Sequence, residues 1–532
     1  MKTRLLHRDR DLAWDAEPPA QEDDLVRDLD LETLYTAMAG DDAFLRERVR
    51  RVLMSPLTDP EAVRYRQDVL ADCLDRPDTV RDLYALATEA VTREKKVFGS
   101  FIRSPESSLS RSIEVLDLFV EMLRRLRRLG DAHGAEFRSE GFTRFFAMLA
   151  DELGDDYFAV VHSHLERLRF KGGVLISARL TTGCKGTGYV LREPPHKRGW
   201  RDLFASSGPA ALTYRLAERD EAGAKALGEL RGRGLDLAAD ALARSCDHIL
   251  GFFAMLRAEL AFYVGCLNLR DALAAKDASV CRPDPAAPGA PALTCRGLYD
   301  VCLALRSDRP VVGSDVDADG APLLVVTGAN EGGKSTFLRA VGLAHLMAQS
   351  GMFVAAGSFA ADPRDQVFTH FRREEDAGMV SGKLDEELER MNKIADRITA
   401  RSIVLFNESF AATNEREGAE INRHILRALT EAGVKVVCVT HLYELSRTLY
   451  ASSAHRAGTV FLRAERTPDG RRTHRLVAGA PEPTSYGADL YEQVFHTPAR
   501  TSVHAPGPAT AGAEPSDAVA GGERQGSVDG SG

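Results

Sequence analysis

The sequence predicts a multidomain protein: a mainly α-helical body with a small β-containing insertion, followed by an α/β domain built on a phosphate loop. Three observations predict it. Gly328-Ala329-Asn330-Glu331-Gly332-Gly333-Lys334-Ser335 is a complete G-x4-G-K-S pattern, preceded by the apolar run Leu323-Leu324-Val325-Val326 and followed by a helical stretch from Thr336. Apolar residues recur at helical spacing from about Asp30 to Leu129 and again from Leu235 to Leu273. Between residues 174 and 220 the pattern changes to short runs suited to strands.

Residues 1–30 are charged, contain Pro18-Pro19 and read as a tail. Residues 31–292 form the helical core and lever. One stripe in it is Ile113, Leu116, Val120, Leu123 and Leu126, with Arg124, Arg125, Arg127 and Arg128 mostly off it, as expected of a solvated helix face. An insertion at about 172–220 carries two expected strands, Val174–Leu180 and Leu212–Leu216, separated by loops with Gly and Lys. The pattern from Leu235 to Leu273 suits a rigid lever, and Cys281 to Ala292 reads as a Pro/Ala linker. The α/β domain is expected over 293–496. Residues 497–532 are rich in Pro, Gly, Ala and Ser and are expected to be disordered.

Bulk properties narrow the class. A hydrophobic share of 44% with 28% charged residues is ordinary for a globular chain of 532 residues. The start has no apolar stretch of signal-peptide length, and no later run is expected to approach a membrane span, so a cytoplasmic protein without membrane contact is expected. The eight cysteines contain no C-x-x-C pair and read as free thiols. A net charge of −9 leaves DNA binding to a local surface.

The phosphate loop carries the chemistry. Glycines let successive backbone N–H groups face phosphates, and the helix N-terminus adds its positive end. Lys334 should reach the β- and γ-phosphates and Ser335 should sit on Mg²⁺, so the chain is expected to bind ATP or GTP. Downstream, the strand Ile403-Val404-Leu405-Phe406 ends in Asn407-Glu408, where P-loop ATPases normally carry Asp-Glu. Glu408 is the expected base that polarises the attacking water. Asn407 can hold a metal-bound water but supplies no charge, which predicts weaker Mg²⁺ binding or slow turnover. The next strand, Val434–Val439, ends in Thr440-His441, placing His441 to contact the γ-phosphate or that water.

At these positions the chain resembles the MutS mismatch-repair ATPases. Gly328 to Thr336 is similar to their G-P-N-M-G-G-K-S-T loop, Gly351-Met352-Phe353-Val354-Ala355-Ala356 to their G-x-F-V-P-A segment, and Thr440-His441-Leu442-Tyr443-Glu444-Leu445 to A-T-H-x-x-E-L. Ser381-Gly382-Lys383 is similar to the start of their signature segment, and Pro56-Leu57-Thr58-Asp59 to the opening of their helical core. The resemblance covers about residues 40–495. It implies an ABC-type ATPase domain with ATP and Mg²⁺ as cofactors, a homodimer formed through the ATPase domains, and DNA, duplex or distorted, gripped by lever and clamp-like insertion. Repair proteins are the further partners it implies.

Departures temper these implications. After Lys383 the family continues S-T-F-M-x-E-M, whereas this chain has Leu384-Asp385-Glu386-Glu387-Leu388-Glu389-Arg390, putting the trans signature contact in doubt. In place of D-E-x-G-R-G-T stands Asn407-Glu408-Ser409-Phe410-Ala411-Ala412-Thr413. The core-like pattern begins near residue 40, so a member without the N-terminal mismatch-recognition domain is expected, and no nuclease-like domain is read at the C-terminus. Phe119-Val120-Glu121 matches the family's Phe-x-Glu wedge but falls in a helical run. Three functions stay open: a DNA-binding ATPase of mismatch repair or a neighbouring repair or recombination process, a slowly hydrolysing nucleotide-gated clamp, and an ATP sensor without DNA binding.

Overall fold

The computed structural model describes residues 1–97, 105–171, 173–182, 186–192, 213, 215–287, 292–373, 382–452, 458–467 and 471–482. Its first half is helical: α1 (Glu22–Asp28), α2 (Leu31–Ala39), α3 (Ala43–Leu53), α4 (Pro60–Asp75), α5 (Pro77–Val97), α6 (Pro105–His133), α7 (Glu140–Glu152) and α8 (Asp155–Leu168). Local chemistry fixes several starts. The Asp42, Asp59 and Ser139 side chains accept from the N–H groups of Leu45, Glu61 and Ala62, and Phe142, satisfying donors that a helix start leaves orphaned. An antiparallel hairpin of β1 (Leu175–Leu180) and β2 (Gly186–Arg192) precedes α9 (Glu221–Ala274).

With 54 residues, α9 is about 80 Å long. Its C-terminal half, with Phe253, Leu256, Leu260 and Phe262, is buried against α2, α3, α5 and α6, whereas Leu227, Leu230 and Leu237 near its start are exposed. The helix therefore leaves the body and carries the hairpin beside its far half, where Gly234 accepts Ile176 and the Arg233 guanidinium lies 5.1 Å over the Tyr189 ring. Composition alone would let a stretch of α9 span a membrane, against the sequence expectation, but most of that stretch is buried inside the fold.

The second half is α/β. It contains β3 (Asp284–Pro285), β4 (Leu293–Leu298), α10 (Val301–Arg306), β5 (Ser314–Asp317), β6 (Leu323–Thr327), α11 (Lys334–Gln349), β7 (Ser358–Ala361), β8 (Val367–Phe371), α12 (Lys383–Ala395), β9 (Ile403–Asn407), α13 (Glu415–Glu431), β10 (Lys435–Val439), α14 (Tyr443–Ala451), β11 (Thr459–Arg466) and β12 (Arg472–Ala478). One sheet has the order β12-β11-β6-β10-β9-β8, parallel except for β12; the other is β3-β7-β4-β5. In β6, Leu324 and Val326 enter the core shared with α11, while Leu323 and Val325 enter the core of α13 and α14. Burial on both faces explains why β6, β9 and β10 read as unbroken apolar runs.

Several expectations need correction. Residues 1–30 are not a tail: Leu5, Leu6, Leu25 and Leu29 are buried, and α1 packs on β8. Charge made the segment look solvated, yet its few leucines are all spent on the core. The expected strand Leu212–Leu216 is not one where it is described, at residues 213, 215 and 216; β1 pairs instead with β2. The Pro/Ala linker is tied down over its described part. The Pro283 and Pro285 carbonyls accept from Gln67 and Arg64 of α4, and Asp284–Pro285 adds a strand beside β7. The core is also continuous across residue 292, joining helical body and α/β part.

Other expectations stand. Phe119-Val120-Glu121 lies inside α6, with Phe119 buried 6.0 Å from the Phe253 ring. Arg125 pairs with Glu89, Arg127 with Asp131 and the carbonyl of Ala150, and Arg124 lies over Phe158, so these arginines serve the helical body itself. Seven cysteines are free thiols; Cys184 lies outside the described residues, as do residues 497–532.

Candidate nucleotide site

Three neighbouring parallel strands end in register: Val439 of β10 stands opposite Val326 of β6 on one side and Asn407 of β9 on the other. The segments that leave these ends are the phosphate-loop motif, Glu408 and Thr440-His441. All the residues singled out from the sequence for chemistry are thus brought to one carboxyl edge, where α/β sheets place ligands.

The loop folds as its glycines require. Gly328 and Gly333 have φ of 110° and 89°, and Gly333 caps α11 in the left-handed region. Space is the second constraint. A Cβ would lie 2.8 Å from the Ala464 nitrogen at Gly328, 2.5 Å from the Ala464 Cβ at Gly332, and 2.8 Å from the His474 carbonyl at Gly333. The hairpin of β11 and β12 therefore closes one side of the loop. Asn330 and Glu331 form its exposed crest and Ala329 is buried beneath. Lys334 is buried and donates to the carbonyls of Gly328 and Ala329, at 3.0 and 2.9 Å. Burial lowers its pKa from the ordinary lysine value, opposed by the Glu408 carboxylate.

On the other side, the Ser335 hydroxyl donates to Asn407 Oδ1 at 3.0 Å, joining α11 to the end of β9. Glu408 follows with φ of 53°, a conformation that L residues avoid, and its N–H donates to the Val439 carbonyl. Its carboxylate lies 3.7 Å from His441 Nδ1, an electrostatic contact longer than a hydrogen bond. The His441 imidazole, with Lys334 and Arg372 adding to it, holds the Glu408 carboxyl below the usual carboxylate range against the opposing effect of burial. Glu408 is therefore an ionised acceptor, half-buried and aimed at the loop side of the sheet.

Sequence reading missed the residues that hold this turn. His370 of β8 is buried, and burial pushes its pKa down to about 4, so it is neutral. Its Nε2–H donates to the Glu387 carbonyl, and its Nδ1 lies 2.7 Å from the hydroxyl of Ser409, beside Glu408; that hydroxyl donates to the His370 carbonyl at 2.5 Å. Asn422 of α13 donates to the Ser409 carbonyl, and Gly418 lets α13 approach Phe410 so closely that a Cβ would meet its carbonyl at 2.4 Å. Also missed was Arg472 of β12, whose Nη1 donates to Glu331 Oε2 at 2.6 Å. Spacing carries no signal for these contacts between distant segments. Of the signature segment, Ser381 lies outside the described residues, and Lys383 to Arg390 lie in α12, with Glu387 and Arg390 buried.

The donor set suits a Mg-nucleotide. Ser335 Oγ and Asn407 Oδ1 are oxygen ligands of the kind Mg²⁺ and its waters take, and Lys334 supplies a cation beside the loop. Beside Gly333 and Thr336 opens a cavity of about 230 Å³, lined by Leu298, Tyr299, Val311, Phe337 and His474.

Comparison with known proteins agrees with the resemblance read from the sequence. Residues 58–276 match the family model of the MutS2 N-terminal domain, and residues 324–503 match that of MutS domain V. The chain is similar to the endonuclease MutS2 of Thermus thermophilus, 33% identical over 159 residues, 30% of this chain and 21% of that protein. It is similar also to the DNA mismatch repair protein MutS of Thermotoga neapolitana, 34% identical over 185 residues, 35% of this chain and 23% of that protein. With the MutS of Chloroflexus aurantiacus, identity is 28% over 268 residues, 46% of this chain and 27% of that protein. The matched stretch spans about a quarter of the length of these relatives. Two family models on successive parts of one chain, and relatives bearing both names, lead to one conclusion: this chain belongs to the MutS family.

Proposed function

We propose that the chain is an ATP-dependent DNA-binding protein of the MutS type, in which ATP binding and Mg²⁺-assisted hydrolysis control the grip of a lever and its β hairpin on DNA. The observation that carries this reading is the convergence of the phosphate loop, Asn407, Glu408 and His441 at the ends of β6, β9 and β10. In it, Lys334 exchanges its two carbonyl partners for β- and γ-phosphate oxygens, and the α11 N-terminus presents its free N–H groups to the same anion. Leu298, Tyr299 and Phe337 offer the base an apolar seat. Ser335 and Asn407 hold Mg²⁺, which when bound neutralises charge on the phosphates. Glu408 accepts the proton of the attacking water, and His441, beside the carboxylate, orients it.

A slowly hydrolysing clamp is the second reading, and Asn407 favours it, because a neutral amide holds the metal less firmly than a carboxylate would. Homodimerisation through the α/β part, and action inside the cell on repair intermediates, belong to the proposal as implications of family membership. The names of the relatives motivate the DNA partner, mismatch repair in one case and endonuclease in the other. The contacts to phosphates are assigned to basic residues of the insertion, such as Lys185, Lys197, Arg198 and Arg201, which lie outside the described residues.

Titration with matched, mismatched and branched duplexes at several salt concentrations, with and without ATP, tests the proposal. Contacts with phosphates predict steep loss of affinity with salt and little preference for a mismatch. Deletion of about residues 172–220 should abolish DNA binding and leave ATP binding in place. Absence of DNA binding under every condition would leave only an ATP sensor.

A further inference from the structure

Glu331 is an unusual occupant of its position. The family loop quoted above has methionine there, whereas this chain puts a carboxylate on the exposed crest, at φ of 58°. An acid on the rim of a polyphosphate site repels the ligand unless it is neutralised. Arg472 neutralises it: the two side chains meet at 2.6 Å, with the Glu331 side chain 68% exposed and that of Arg472 only 16%.

Position makes Arg472 more than a counter-ion. It opens β12, two residues before His474, whose carbonyl touches Gly333, and β11 packs Ala464 against Gly328 and Gly332. The hairpin is thus applied to the loop along its length. The charge of Arg472 is also felt at Lys334, whose ammonium it disfavours. Two cations from different elements therefore face one end of the loop. One is tied to loop carbonyls and the other to a single exposed carboxylate.

Resting on the nucleotide reading above, we propose that Arg472 is a second phosphate-binding cation of this site, held by Glu331 in a latch that opens when a polyphosphate enters. An ion pair with one solvated carboxylate is weak. A polyphosphate offers several charges and paired oxygens that match the guanidinium fork. The exchange favours the ligand, and Glu331 is the competitor that sets its extent.

Direct titration of the full chain with N-methylanthraniloyl-ATP, in EDTA so that the metal contributes nothing, tests this through a double-mutant cycle. Glu331→Gln should tighten binding by about threefold or more, and Arg472→Gln should weaken it by about tenfold. The double variant is decisive and should bind at least about fivefold more weakly than Glu331→Gln alone. If the double variant binds like Glu331→Gln, Arg472 only neutralises Glu331 and the proposal is overturned; wild-type affinity in Arg472→Gln overturns it as well. Arg472→Lys keeps the charge without the fork and should fall between wild type and Arg472→Gln, which separates a lost contact from a damaged fold. Lys334→Ala is the control for the underlying reading. Should it and the wild type both fail to bind, or bind alike, the nucleotide assignment falls, and the proposal with it.

Discussion

The ends of β6 and β9 face the same space, yet they are built in different ways. The β6 side is local: strand, loop and α11 are continuous in sequence, and the positions of Gly328, Gly332 and Gly333 follow from the turn they make. The β9 side is assembled from afar. Glu408 sits at positive φ in a turn held from behind by His370 of β8 and by Asn422 and Gly418 of α13, two elements distant in sequence. Binding chemistry can thus be written in eight consecutive residues, whereas hydrolytic chemistry needs the whole sheet. On the assembled side this chain lacks a charge that the family pattern carries, with Asn407 in place of aspartate.

The comparison can be broken most sharply at Glu408. Glu408→Gln should leave nucleotide binding intact and reduce single-turnover hydrolysis by about a hundredfold, the size of a lost general base. Equal rates in variant and wild type would remove Glu408 from the chemistry. Next in size, Lys334→Ala strikes the local side and should weaken ATP binding by more than about tenfold, on the scale of one charge-assisted contact. Calorimetry showing unchanged affinity would mean that the loop is not the site.

A third variant erases the difference between the sides. Asn407→Asp restores a carboxylate next to Ser335 and should lower the Mg²⁺ concentration needed for half-maximal turnover by a few-fold, about the effect of one added charge. An unchanged Mg²⁺ titration would show that the amide is not what limits the metal. The smallest effect lies far from both sides. Glu259 is fully buried, accepts from the Leu5 N–H, and burial pushes its pKa up to about 7. Because the folded state holds that proton more tightly than the unfolded chain, the stability it contributes is present below about pH 4.5 and is lost as pH rises through 7. Glu259→Gln should therefore gain in Tm relative to wild type between pH 5 and 8, with nucleotide affinity unmoved. A Tm difference that does not change with pH would show that Glu259 does not titrate in this window.

Much of the fold was legible because its signals are periodic or contiguous. The stripe from Ile113 to Leu126 became the buried face of α6, and the run from Leu235 to Leu273 became the greater part of α9. Strand ends at Asn407 and His441 could be read because both follow unbroken apolar runs. What escaped depends on contacts between distant segments. Nothing local to Arg472 points to Glu331, 141 residues away. Nothing local to Leu5 and Leu6 distinguishes a buried entry segment from a solvated tail, and β2 escaped because Gly186–Arg192 has the glycines of a loop and the pairing of a strand.

The helix that begins at the phosphate loop ends on a different anchor. Arg66, fully buried, donates to the Ser350 carbonyl just past α11 and to the Leu6 carbonyl, and touches His7, while Gly351 at φ of 76° leaves room for its aliphatic stem. Leu6 and His7 are thus stitched to the far end of the helix that leaves the phosphate loop, about 24 Å from Lys334. Removing residues 1–7 would leave a buried guanidinium with fewer partners and loosen the footing of α11, and on the proposed reading would lower nucleotide affinity.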